Sequence, residues 1–371
     1  MFGSRNFLFA KSAAGGGGFS GTLFMWGANG IGGLGLNDID NRSSPVQVGS
    51  LTTWSKLEAG NFTLAVKSTG QLWSWGFNSN GQLGQGNTTY ISSPVQVGAL
   101  TDWATPSTEG NNFSSCTKTN NTLWTWGSNS SGQLGLGDTV ARSSPVQVGA
   151  LTNWGTQIAA RDMIMCVKTD GTLWTWGNNF SGQLGQGNTI ARSSPVQVGA
   201  LTNWKTPGSA YGVCLCVKTD GTLWVWGRNS QGVLGLNDIA NRSSPVQIGA
   251  LTNWAIPAVT DFNAVICTKT DGTIWSWGRN TEGQLGQNDT TNRSSPVQIG
   301  ALTTWAVPSC GDQAVICTKT DGTLWSWGAN LDGRLGLNNT VDCSSPVQIG
   351  ALTTWVNPSI KKGTAGCLQT P

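Results

Sequence analysis

Apolar residues in this chain come in short alternating runs broken by Gly, Asn and Asp, and nowhere at the spacing of an amphipathic helix. A representative stretch from Ser143 reads SSPVQVGALTNW, then a variable segment, then CVKTDGTLWTWG, then NNFSGQLGQGNTIAR. Pro145-Val-Gln-Val predicts a first strand with Gly-Ala-Leu-Thr-Asn as its turn, and a second strand passes through or just after Trp154. Cys166-Val-Lys-Thr and Thr172-Leu-Trp-Thr-Trp then flank Asp170-Gly171. Asp-Gly is the strongest short hairpin signal, because a type I′ turn needs positive φ at both central residues. Each stretch therefore predicts four short strands and no helix.

The same stretch recurs with a period of about 50 residues, which makes it a structural repeat. Trp-Gly falls at Trp26, Trp75, Trp126, Trp176, Trp226, Trp277 and Trp327, and a second tryptophan at Trp54, Trp103, Trp154, Trp204, Trp254, Trp305 and Trp355. Proline recurs at Pro45, Pro94, Pro145, Pro195, Pro245, Pro296 and Pro346. The expected fold is all-β, a seven-bladed β-propeller of four-stranded antiparallel blades. Residues 21–371 form this single propeller and residues 1–20 are an extension. Trp355 to Cys367 repeats the offset of Trp305 to Cys317, so the C-terminal end is expected to supply the first three strands of the last blade. Gly21 to Gly27 matches Gly322 to Gly328 and supplies the fourth. Closing the ring by pairing the N-terminal strand with C-terminal strands removes two raw sheet edges.

The motif Trp-Gly-x-Asn-x-x-Gly-Gln-Leu-Gly at Trp75–Gly84 and Trp126–Gly135 resembles the regulator of chromosome condensation repeat family, over residues 21 to 370. Departures are Phe24 for the first tryptophan of the doublet and Gly33, Val233 and Arg334 for the glutamine. The resemblance implies a seven-bladed propeller on which several functions occur: nucleotide exchange on a small GTPase, light sensing, and inhibition of β-lactamase. No insertion interrupts the ring to serve as a nucleotide-exchange wedge. The plain, tryptophan-rich ring is similar in style to the bacterial inhibitor, and near-identical repeats suggest a bacterial or phage origin.

Composition narrows the chemistry. Charged residues are 11% and there is no histidine, which removes the commonest general base, the usual zinc ligand and the Ser-His and Cys-His nucleophile pairs. We expect no catalytic residue, no cofactor and no metal, and thus not an enzyme. The run Asn37-Asp38-Ile39-Asp40 lacks the ligand series of a calcium loop. A net charge of +3 without Lys or Arg runs argues against nucleic acid and anionic membrane as partners. No apolar run reaches the length of about 18 residues that spans a bilayer, and no signal peptide is visible. Cys116, Cys166, Cys216, Cys267, Cys317 and Cys367 share one strand position in successive blades and should be reduced, since packed sheets hold them too far apart to bridge. Trp73 and Trp75, two apart on a strand, point to one sheet face and fill the space between blades. The arginines before Ser-Ser-Pro and the lysines Lys67, Lys118, Lys168, Lys218, Lys269 and Lys319 are expected to serve blade-to-blade hydrogen bonding and a solvated rim, with a polyanion site as the alternative.

What varies among otherwise fixed units is free of the ring's demands. Two stretches vary: one after the second tryptophan, one around the fixed asparagine after Trp-Gly. Strand direction puts both on one face, opposite the Asp-Gly and Gly-Ala-Leu-Thr turns. That face is the expected recognition surface, carrying Phe77, Arg161, Asp162, Phe180, Tyr211, Arg228, Asp261, Phe262, Arg279, Glu282, Asp332, Lys361 and Lys362. The expected partner is a protein or a glycan. A carboxylate-only glycosidase would need two nonrepeat acids about 5 to 10 Å apart, with Asp261, Asp312 and Asp332 as the places to look. Phe2, Phe7, Leu8 and Phe9 ahead of four glycines read either as an apolar anchor on a leash, with other virion proteins as its expected partner, or as a disordered tail. The expected setting is a virion or cell surface, with the cytoplasm as the alternative.

Overall fold

Each blade starts from a tryptophan-led strand, and the computed structural model, which describes residues 20–371, stands these strands side by side around a central axis. They are Trp54–Glu58, Trp103–Thr108, Trp154–Ala160, Trp204–Ala210, Trp254–Val259, Trp305–Gly311 and Trp355–Lys361. Outward from the first of them, Phe62–Lys67, Leu72–Gly76 and Ile91–Gln96 follow as antiparallel neighbours. The next five blades repeat this order. A single 3₁₀ turn at Ser230–Gly232 is the only helix among the described residues.

The expected propeller is therefore present, but the framing of its blades is corrected. The Ser-Ser-Pro strand does not open the blade of the tryptophan that follows it; it closes the blade of the hairpin before it. Proline explains the placement, because it cannot donate to a ladder and is tolerated at an edge. Pairing is bulged at this point: Gly27 faces Arg42 while Met25 faces Val46, so Ser43 to Pro45 stand opposite Trp26 alone. The closing blade consequently has the order Arg42–Gln47, Thr22–Gly27, Thr364–Gln369, Trp355–Lys361. Each end of the chain contributes two strands, rather than three and one.

The repeated residues join each blade to the one before it. The buried indole of each Trp-Gly tryptophan donates to a backbone carbonyl in the preceding blade's loop, as in Trp126 to Gln82 at 2.8 Å. Trp75 uses Gly33, Trp277 uses Val233 and Trp26 uses Arg334. A main-chain acceptor explains why the glutamine position tolerates substitution. Gly135, at φ +72°, lets the loop close over the indole, since a Cβ there would lie 2.6 Å from Trp176 Nε1. On the outer side, the Gly86 amide donates to Ser143 O and the Asn37 amide to Ser92 O. The fixed asparagine staples each loop: Asn129 Oδ1 accepts from the Leu134 amide and its Nδ2 donates to Asp138.

The lysines do not stand on a solvated rim, whereas the arginines stay part-exposed on the outer strand. Strand register sets Lys168 opposite Trp154, and the ammonium groups lie 3.5–4.4 Å from the ring of the doublet's first tryptophan in six blades. Burial pushes Lys168, Lys218, Lys269 and Lys319 below the ordinary lysine range, and the indole faces compensate part of the lost hydration. Arg42, Arg142, Arg242 and Arg293 each pair with the aspartate four residues earlier at 2.5–2.7 Å. This assigns Asp38 to an arginine and to Asn29. No disulfide links any of the nine cysteines, and burial pushes the Cys166 and Cys214 thiols up to about 12. Cys343 occupies an arginine position, opposite Gly328.

Candidate functional site

The turn between the first and second strands of each blade opens beside the central axis, and strand register makes its residues equivalent around the ring. Counting two residues back from the partner of the Trp-Gly glycine gives Gly60, Asn111, Arg161, Tyr211, Phe262, Asp312 and Lys362. Seven blades place seven different residues at one position. The turns are tight: Tyr211, Asp312 and Lys362 have φ of 48°, 42° and 49°, a left-handed conformation that costs bulky residues more than glycine. The residue after Trp-Gly lies on the same face, joined through bonds such as the Asn178 amide to Asp162 O. The Asp-Gly hairpins and Gly-Ala-Leu-Thr connections meet on the opposite face, where the Trp103 amide donates to Gly70 O. That face carries a ring of half-exposed leucines, Leu51, Leu100, Leu151, Leu201, Leu251, Leu302 and Leu352, one per connection.

Two clusters occupy the varied face. In the first, Tyr211 and Phe262 lie nearly parallel with centroids 6.5 Å apart. Arg161 covers Tyr211 at 4.1 Å, Arg228 approaches the same ring at 5.2 Å, and Arg279 approaches Phe262 at 5.6 Å. In the second, the closing blade's turn reaches across the axis. Lys361 pairs with Glu58 at 3.1 Å and donates to Thr108 O, while Lys362 pairs with Asp261 at 2.8 Å and Asp312 at 3.9 Å. Arg334 holds Asp332 at 2.6 Å and Asp312 at 3.3 Å.

The electrostatics follow from crowding carboxylates at this mouth. Burial first, and then the charge of Asp162, pushes Glu109 up to about 7. Burial and the neighbouring Asp261 raise Asp312, and burial raises Asp162. Burial works against Lys362, yet Asp261, Asp312 and Glu109 together hold it above the ordinary lysine value. The three acids singled out for glycosidase chemistry do come together, but Asp261, Asp312 and Asp332 are each tied to a lysine or arginine. That arrangement suits a charge network better than a free acid and base.

Of the residues expected on the surface, Arg161, Tyr211, Arg228, Phe262 and Arg279 form the first cluster and Asp261, Asp332, Lys361 and Lys362 join the second. Asp162 accepts from Gln133 beside them. Phe77 turns instead onto Tyr90, centroids 5.0 Å apart, and packs with the blade core. Phe180 projects at 83% exposure, and Glu282 lies half-buried on the fifth blade's loop. Phe2, Phe7, Leu8 and Phe9 lie outside the described residues. Glu58 and Glu109 sit in the stretch that varies after the second tryptophan and Arg334 at the motif's glutamine position, and their joining the site depends on blades far apart in sequence. No group of three or more potential metal ligands converges among the described residues, and no helix is long and apolar enough to cross a membrane.

The family model for the regulator of chromosome condensation (RCC1) repeat matches seven consecutive segments, residues 20–66, 69–116, 120–166, 170–212, 220–261, 271–318 and 321–366. No curated protein matches the sequence. Among solved structures, human WBSCR16 is similar with a TM-score of 0.84 at 19% identity, covering 94% of this chain and 99% of that one. Yeast RCC1 (Prp20), in complex with Kap60, has a TM-score of 0.79 at 18% identity, covering 100% and 97%. Prp20p from Saccharomyces cerevisiae, described with its binding to Gsp1p and histones, has a TM-score of 0.77 at 19% identity, covering 95% and 92%. At these identities the likeness speaks for the fold.

Proposed function

Since the chain belongs to the regulator of chromosome condensation (RCC1) repeat family, we propose that it is a non-enzymatic scaffold that binds a protein partner through the varied face of its ring. The observation that carries this reading is the single equivalent position filled by Gly60, Asn111, Arg161, Tyr211, Phe262, Asp312 and Lys362. Tryptophan, asparagine and the loop glycines stay constant because they seal blades together; this position is released from that task. Exposed aromatic and arginine side chains are the residue types that dominate protein interfaces. A protein suits the surface better than a glycan, because guanidinium groups already cover the ring faces that a sugar would stack on. On this reading the ring works at a virion or cell surface, tethered by residues 1–20. Support for that setting comes from the sparsely charged composition and the apolar residues at the start of the chain.

The two faces can be tested against each other. One variant carries Phe180→Ser, Phe262→Ser and Leu331→Ser, the last 78% exposed directly after the fixed Asn330 in the second varying stretch; the other carries Leu151→Ser, Leu201→Ser and Leu251→Ser on the opposite face. With the protein immobilised against an extract of its native source, partner capture is expected to fall only in the first variant. Loss confined to the second would move the binding surface to the leucine ring and overturn the proposal.

A further inference from the structure

Nine arginines lie among the described residues, and five of them hold an aspartate: Arg42, Arg142, Arg242, Arg293 and Arg334. Of the four without an ion-paired carboxylate, three converge on one spot: Arg161, Arg228 and Arg279 surround the Tyr211–Phe262 pair. The nearby acids are committed elsewhere. Asp261 is taken by Lys362, and Asp162 accepts from Gln133 Nε2. Three like charges are thus gathered on an aromatic platform without an ion-paired carboxylate among them; Asp162 acts on Arg161 through its charge alone. Such a cluster costs the free protein repulsion energy, which an incoming anion would relieve.

The form of the cluster says which anion. A guanidinium resting on a ring face can still present N–H groups outward in a two-point bond to a carboxylate; Arg279 would do so through its terminal Nη groups, since its Nε–H donates to Thr281 Oγ1 at 2.9 Å. We propose that the Arg161–Tyr211–Phe262–Arg279 strip, with Arg228 beside it, is the docking site for an acidic segment of the partner protein. The site rests on the reading of the varied face as a binding surface and gives that surface its chemistry. A nucleic acid fits poorly. Its evenly spaced phosphates would need an extended basic track, whereas a short acidic segment needs only the three arginines of the strip. The lysines that could extend a track are packed against tryptophan. The ring faces on which bases would stack are already engaged with arginine.

The test uses the full chain and fluorescence anisotropy, with a fluorescein-labelled oligoglutamate peptide as probe, and oligolysine and single-stranded oligothymidine as comparisons. The oligoglutamate is expected to bind, more weakly as salt rises. Its affinity should fall at least about tenfold in the Arg161→Gln, Arg228→Gln, Arg279→Gln triple variant. Arg192→Gln, the remaining unpaired arginine, should leave it unchanged; tryptophan fluorescence checks that both variants fold. Equal affinity of the triple variant, absence of oligoglutamate binding, or tighter binding of oligothymidine that the triple variant abolishes would each overturn the proposal. If the peptide fails while partner capture still falls in a variant carrying only Phe180→Ser and Leu331→Ser, the arginine site falls and the binding face stands. If both fail, so does the broader reading.

Discussion

Glu109 is a buried carboxyl at the channel mouth whose titration is moved toward neutral pH. Its carboxyl is pushed from 4.5 to about 7 by burial and by Asp162, so the folded protein holds the proton more tightly than the unfolded chain does. The sign follows: the stabilising contribution is complete below about pH 4.5 and is lost as pH rises through about 7, a difference of about 3 kcal/mol. Glu109→Gln keeps an oxygen for the Asn112 amide, which the Glu109 carboxylate accepts at 2.7 Å, and removes the titration. Urea midpoints measured at pH 5 and pH 8 should therefore differ less in Glu109→Gln than in the parent. An unchanged difference would place the pH response elsewhere. The acids held low by hydrogen bonds, such as Asp138, Asp170 and Asp289, lose their contribution only as pH falls below the ordinary carboxylate range, and so do not mask this window.

Among the strands, the closing blade departs from the other six in two places at once. Phe24 replaces the doublet tryptophan, and Gln369 replaces the lysine that would lie over it. Phe24 still meets Trp355 edge to face at 5.4 Å, but the blade has lost its cation–π contact. A groove of about 400 Å³ opens beside it, lined by Phe24, Pro45, Leu337, Ile349 and Trp355. The pairing of the two departures indicates that ring and ammonium act as a unit. Phe24→Trp with Gln369→Lys should raise stability by about 1 kcal/mol more than the two single changes sum to. A double-mutant cycle in denaturant checks this, and strict additivity would show that the lysines sit on tryptophan without coupling to it.

For the molecule as a whole, stability rests on closing the ring through a blade built from both ends of the chain. Thr22 pairs with Gln369 and Gly27 with Thr364, so backbone hydrogen bonds lock the two ends together. A permuted chain tests their weight: Pro371 is joined to Ser20 by a short linker, and new termini open between Gly149 and Ala150. Every blade is then continuous, and the junction of the second and third blades is held by side chains and loops alone. The permuted ring should fold, with a lower urea midpoint than the parent, read by tryptophan fluorescence. An equal or higher midpoint would show that the shared blade adds nothing to the contacts each blade already makes with its neighbours.

By itself the sequence determined the repeat, the number of blades, the all-β class and the face on which variation gathers, because each is a matter of local spacing: proline, tryptophan doublet, Asp-Gly turn and period. Even the edge position of the Ser-Ser-Pro strand was legible in its proline, though the long loop before it disguised which blade it belonged to. Tertiary structure alone decided what the varied residues touch. Arg161 and Phe262 are separated by two blades' worth of chain and meet over Tyr211; Lys362 reaches Asp261 and Asp312 only because the ring closes and turns its last hairpin inward. The physical reason is that a propeller's frame is built from contacts repeated at a constant offset, which sequence periodicity displays, whereas its mouth is built from single contacts across the axis, for which there is no periodic signal.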